Sequence, residues 1–260
     1  MKILDYYLSD VDSGSQAYAR IRKTIGYCGI AIPLLCIAMS IAGDCVETIL
    51  PSISHYYYTA IGDMFVGVLF ALGLFLVLYK SVFNGEHCER LRRQENFLTN
   101  FSGIMAMIVA FIPTDPEGGD CYYITLAYPY KETFGYLSYL HLPAAGIMLL
   151  IFGYISLFYF PRDWKTGQYN SDNKRIYQIC GITIFSSIGI LILYFLDKDF
   201  LQGKYLGSLE KIKIVFLLEC ISIIAFAISW LKKGRAIGSL LHIVDEMKKS
   251  INKEPNQSNQ

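Results

Sequence analysis

Charge and histidine are both scarce in this sequence, and each scarcity narrows what the chain can do. Charged residues make up 17% of it and the formal net charge is +1, so no global field recruits nucleic acid. There are four histidines, His55, His87, His141 and His242. A catalytic zinc usually takes three protein ligands. The set His55, His141 and Asp63 or Asp115 can be written as two imidazoles and a carboxylate, but no His-x-x-x-His pair supports it. No metal or other cofactor is therefore expected. Cys-x-x-Cys pairs are missing, which removes a zinc ribbon or a redox motif. Phosphate-cradling glycine patterns are missing too. So is the Gly-x-Ser-x-Gly elbow that exposes a nucleophilic serine. Residues 1–19 carry Asp5, Asp10 and Asp12 and lack the apolar core of a signal peptide, so insertion is expected to rely on the first apolar helix.

What the chain has is hydrophobicity, 53% of residues, gathered into blocks with the charges between them. A bilayer core roughly 30 Å thick needs about 20 mostly apolar residues per helix. The blocks at 24–43, 61–79, 98–113, 136–160, 176–196 and 214–231 meet or approach that length. The third is short, because Pro113 ends it, and Pro33 lies inside the first. Isolated strands in lipid would leave backbone groups unpaired, and the alternation of a β-barrel is absent. The expectation is an all-α polytopic membrane protein with six transmembrane helices and no internal repeat.

Orientation follows from lysine and arginine in the short connections. Of the 23 basic residues, 18 fall in 1–23, 80–97, 161–175 and 232–260. Only Lys131, Lys198, Lys204, Lys211 and Lys213 fall elsewhere. Both termini are therefore expected in the cytoplasm, with 44–60, 114–135 and 197–213 facing outward. The domain reading is a cytoplasmic segment at 1–23, a six-helix domain at 24–231 and a cytoplasmic tail at 232–260. In the tail Ile237, Leu240, Leu241, Val244, Met247 and Ile251 recur at helical spacing, as in a short helix lying on the membrane. Residues 254–260 have the composition of a disordered end. The expected location is the plasma or inner membrane.

The cysteines divide by this topology. Cys28, Cys36, Cys180 and Cys220 fall within spans, as packing residues, and Cys88 falls on the cytoplasmic side. Cys45 and Cys121 are the two on the outer side, where an oxidising compartment would allow them to pair.

Ionisable residues inside spans are costly, and each is a functional-site candidate. Asp63 lies in the first turn of the second span, His141 early in the fourth and Glu219 early in the sixth. All three of these helices run inward, so the groups share a depth in the outer third of the bilayer. The outer connections bring Ser52, His55, Tyr57, Thr114 and Asp115 to the same level. A pocket of Ser52, His55, Tyr57, Asp63, Thr114, Asp115, His141 and Glu219 would suit a lipid or a small ligand. The same residues also suit a purely structural network that fixes helix packing. A triad of Ser52 with His55 or His141 and Asp63 can also be written.

The stretch Phe111-Ile112-Pro113-Thr114-Asp115-Pro116, followed by His141 in Tyr139-Leu140-His141-Leu142-Pro143, resembles a bacterial six-helix membrane family of unknown function. That family shows Phe-Pro-Thr-Asp-Pro and then a histidine near the start of the next helix. Ser52–Thr59, Asp63 and Phe65-Val66-Gly67 are similar to the same pattern, and Ile112 is a departure from it. A looser similarity runs to membrane proteins of the FRAG and DRAM type. The resemblance covers about residues 24–233 and implies fold and location, not chemistry.

The functional expectation is a non-enzymatic protein binding a lipid or small ligand in an outer-leaflet pocket. The alternatives are an intramembrane lipid hydrolase using the same residues, and an oligomeric membrane-permeabilising effector. Expected partners are membrane lipids, with a homo-oligomer left open and no nucleic acid.

Overall fold

A computed structural model describes residues 13–42, 49–81, 83, 85, 88–114, 135–163, 166–169 and 174–234. The chain is all-helical, with no strand among the described residues. Its α-helices are α1 (Ser13–Ala42), α2 (Gly62–Leu78), α3 (Glu89–Phe111), α4 (His141–Phe158), α5 (Lys174–Phe200) and α6 (Ile214–Lys233). A 3-10 helix at Ile53–Tyr58 lies between α1 and α2. Each α-helix packs on the one before it in the chain, and α6 closes the ring against α1.

Four helices are long and apolar enough to cross a membrane: Ala19–Ala42, Leu137–Phe158, Lys174–Phe200 and Ile214–Lys233. At about 1.5 Å per residue, the 20 residues of α6 reach about 30 Å. Only 33% of the most apolar window of α5 is buried within the protein, so its outer face needs an apolar solvent. The 17 residues of α2 are apolar but short, and α3 is polar in its first half.

Two helices begin well before the apolar blocks that announced them. The block at 98–113 is the second half of α3, which starts at Glu89. Glu89, Arg90, Leu91, Arg92 and Gln94 are good helix formers whatever their polarity, and Glu89 with Arg93 forms an i,i+4 ion pair. Likewise α1 starts at Ser13, inside the stretch expected to precede the bundle. The tail helix expected beyond residue 234 lies outside the described residues.

Small residues let backbones meet where α2 crosses α3. A side-chain carbon on Gly73 would come to 2.8 Å of the Gly103 carbonyl oxygen, and one on Gly103 to 2.6 Å of the Gly73 carbonyl oxygen. Such contacts are a usual way for helices to associate in lipid, where water drives nothing. Hydroxyls in the helices satisfy themselves locally. Ser40 donates to Cys36 O, Thr99 to Glu95 O and Ser222 to Leu218 O. In the centre, Phe152 and Phe226 stack with centroids 3.7 Å apart, and Ser156 donates to Ser229 at 2.9 Å.

Candidate functional site

The segment from Ile49 to Thr59 folds over one end of the ring and is tied to it by polar bonds. The first N–H groups of any helix lack partners within it. In α6 one of them, Phe216 N–H, donates to Pro51 O at 3.0 Å. One turn further on, Glu219 reaches the start of the 3-10 helix. Its Oε2 accepts from Ile53 N–H at 2.7 Å. Ser52 Oγ donates to the same carboxylate at 2.9 and 3.1 Å, and in turn caps the 3-10 helix by accepting from Ser54 N–H at 3.1 Å. Glu219 thus acts as an acceptor for donors that a short helix cannot satisfy itself.

His141 opens α4 and is buried. Its Nδ1 lies 2.5 Å from Ile112 O, and a carbonyl oxygen only accepts, so Nδ1 carries the proton. In the neutral ring Nε2 is then the acceptor, and it receives the Ser54 hydroxyl at 2.8 Å. The His55 imidazole is near enough to bear electrostatically on His141. Tyr58 donates to Thr114 O at 2.6 Å. The Ser40 proton is spent on Cys36 O, so Tyr56 is the donor in its bond with Ser40, while Leu50 N–H donates to the Tyr56 oxygen at 3.2 Å.

The side chain of Tyr57 is fully buried, at 0% exposure, and its hydroxyl has no partner among the described residues. Burial first, and then the nearby Asp63 charge, push its phenol up to about 12. Asp63 itself is exposed at the start of α2.

The structure therefore brings Ser52, His55, Tyr57, Thr114, His141 and Glu219 around one 3-10 helix, with Asp63 at its far end. Glu219 and His141 reach that helix through different serines. The pairing written as a triad is not formed: Ser52 bonds to Glu219, and Ser54 is the serine on His141. Asp115 lies outside the described residues, as do Cys45 and Cys121. Among the described residues no group of three His, Cys, Asp or Glu side chains is arranged to hold a metal ion. Cys28, Cys36, Cys88, Cys180 and Cys220 are free thiols.

A second polar layer occupies the opposite end of the ring, where the sequence reading placed only connection charges. Arg22 is 7% exposed and Glu95 2%. Arg22 donates to Tyr79 Oη at 2.8 Å, and Tyr79 donates to Glu95 at 3.1 Å. Ser81 donates to the other Glu95 oxygen, and Ser81 N–H to Asn96 Oδ1 at 2.6 Å. Lys233 Nζ donates to Phe160 O at 2.9 Å. One signal was present: Arg22, Glu95 and Lys233 each sit within one turn of an apolar block.

The ring contains four helices long and apolar enough to cross a membrane, and its two ends carry different polar chemistry. No protein-family model matches the chain, and no curated protein and no solved structure is similar to it.

Proposed function

We propose that the chain is a six-span membrane protein whose 3-10 helix end faces outward and takes the polar part of a lipid or small amphiphile. Four long apolar helices support this reading. α2 and α3 would complete the six spans by local bilayer thinning, and the lysine and arginine bias would place the Arg22 end in the cytoplasm.

The observation that carries ligand binding is the Tyr57 hydroxyl. Ser52, Ser54, Tyr56, Tyr58, His141 and Glu219 all have partners within the protein. Among the described residues, Tyr57 alone of this group buries a donor without a partner, at a cost of about 1–3 kcal/mol. An acceptor arriving from outside, such as a lipid ester or headgroup oxygen, would remove that cost. Binding alone is enough; no reaction on the ligand is needed.

The test is Tyr57→Phe, compared with wild type by unfolding in detergent. Without lipid, the variant lacks the stranded hydroxyl and is more stable by about 1 kcal/mol. With polar lipid extract from the expression host added, wild type gains more than the variant, and the order narrows or reverses. An equal response of both proteins to the extract would defeat the reading.

The hydrolase reading has one observation in its favour, the Ser54 hydroxyl on His141 Nε2, a pairing that activates a serine in many enzymes. Against it, the N–H groups of residues 53, 54 and 55 are already bonded to Glu219, Ser52 Oγ and Ser52 O. None of these is left to stabilise an oxyanion. Fluorophosphonate labelling that disappears in Ser54→Ala would favour the hydrolase over simple binding.

A further inference from the structure

We propose that Arg22, Lys233 and Trp230 form a site for a phosphate group at the other end of the ring, independent of the Tyr57 reading. Arg22 on α1 faces one buried carboxylate, Glu95, without an ion pair, while Lys233 on α6 faces both Glu95 and the partly buried Asp163. Both Glu95 oxygens are occupied by hydroxyls, one from Tyr79 and one from Ser81, and Glu95 forms no ion pair with either cation. The backbone and aliphatic stem of Lys23 run beside Gly234, next to Lys233. A side-chain carbon at Gly234 would lie 3.1 Å from Lys23 Cγ.

Donors without acceptors occur in the same layer. Among the described residues Arg22 Nε and Trp230 Nε1 are buried with no hydrogen-bond partner. Trp230 is 0% exposed and is wedged edge-on between two rings, 5.1 Å from Tyr79 and 5.1 Å from Phe160. Arg22 Cζ lies over the Tyr79 ring at 5.4 Å, and Lys233 Nζ lies over the Phe160 ring at 5.7 Å. Each cation thus lies over one of the two rings that meet the indole edge-on.

Buried cations require a counter-charge, and stranded donors require acceptor oxygens. A phosphate supplies both. A guanidinium can grip it with two parallel N–H bonds, and ammonium groups add point charge. Its source is either the headgroup of an anionic lipid or a soluble phosphate. Basic recesses between helix ends are a usual place for such headgroups.

The test uses the purified full chain in detergent, with unfolding midpoint as the readout. Phosphatidylglycerol, phosphatidylcholine and inorganic phosphate are titrated separately. Saturable stabilisation by phosphatidylglycerol, beyond that by phosphatidylcholine, supports the site with a lipid source. Stabilisation by inorganic phosphate alone supports it with a soluble source. In either case Lys233→Gln weakens the response at least tenfold, and Arg22→Lys, which keeps the charge and loses the fork, weakens it less. Trp230→Phe keeps the packing and lowers affinity severalfold. The proposal is overturned if no phosphate-bearing probe stabilises wild type beyond phosphatidylcholine, or if Lys233→Gln and Arg22→Lys respond as wild type does.

Discussion

Replacing Glu219 by alanine tests whether the outer layer is held as described. The substitution removes the acceptor for two buried donors, the Ser52 hydroxyl and the Ile53 N–H. Ser52 is 8% exposed and Ile53 4%, so water does not readily replace the carboxylate. Each stranded donor costs about 1–3 kcal/mol. The 3-10 helix can relax a little, so about 3 kcal/mol is expected rather than the upper sum. Glu219→Gln is the control. Its amide oxygen still accepts from Ile53 N–H, and its NH2 donates to Ser52 Oγ, so about 1 kcal/mol is expected.

The protein carries its own reporter in Cys36 on α1 and Cys220 on α6, both buried free thiols. Maleimide labelling of these thiols follows opening between the two helices that close the ring. At about 1.4 kcal/mol per tenfold, a 3 kcal/mol loss raises the open population roughly hundredfold, and the labelling rate with it. An SDS titration measures the same loss at equilibrium. If Glu219→Ala stays within about 0.5 kcal/mol of wild type, the range of an indifferent surface change, with no rise in labelling, then Glu219 does not hold the segment.

The same SDS titration checks four further expectations. Ser54→Ala and His141→Gln should not add: the double variant should show a coupling of about 1 kcal/mol, because each removes the other's partner. Gly73→Ala should cost about 1–3 kcal/mol, because its new carbon would meet the Gly103 carbonyl oxygen at 2.8 Å. Gly67→Ala, with nothing within 4 Å, should be neutral or slightly stabilising. For Tyr57 the sign follows from a folded-state pKa of about 12 against about 10 unfolded. Its contribution is complete below about pH 10 and is lost as pH rises toward about 12, so the alkaline fall in stability should be shallower in Tyr57→Phe.

Much of the fold was legible because helices long and apolar enough to cross a bilayer leave one simple pattern, apolar blocks with charge between them. His141 and Glu219 stood out for the same reason, as ionisable groups inside such blocks. The start of α3 was not legible that way. Hydropathy marks apolar surroundings, whereas the helix continues through Glu89–Gln94 on backbone propensity alone, so Glu95 enters the bundle. Which serine meets His141 was hidden as well. Ser52 is the cap of the 3-10 helix and Ser54 lies within it, and two residues there turn a side chain toward a different neighbour. Arg22 and Lys233 read as connection charges because each sits at the edge of its block. Only the ring closure of α6 on α1, a contact between the two ends of the bundle, shows them sharing a layer.

That closure also bears on transport through a single bundle. α6 carries Glu219 near one end and Trp230 eleven residues later, about 16 Å along the helix axis. Between them its hydroxyls are Ser222 and Ser229, which donate to Leu218 O and Phe226 O. Ser229 also receives Ser156. The neighbouring core is the Phe152–Phe226 stack, with Trp230 behind Phe226 at 5.9 Å. An ion crossing here would have to shed water against rings and hydroxyls that have no free proton to offer. Among the described residues the two polar layers are therefore separated by an apolar plug.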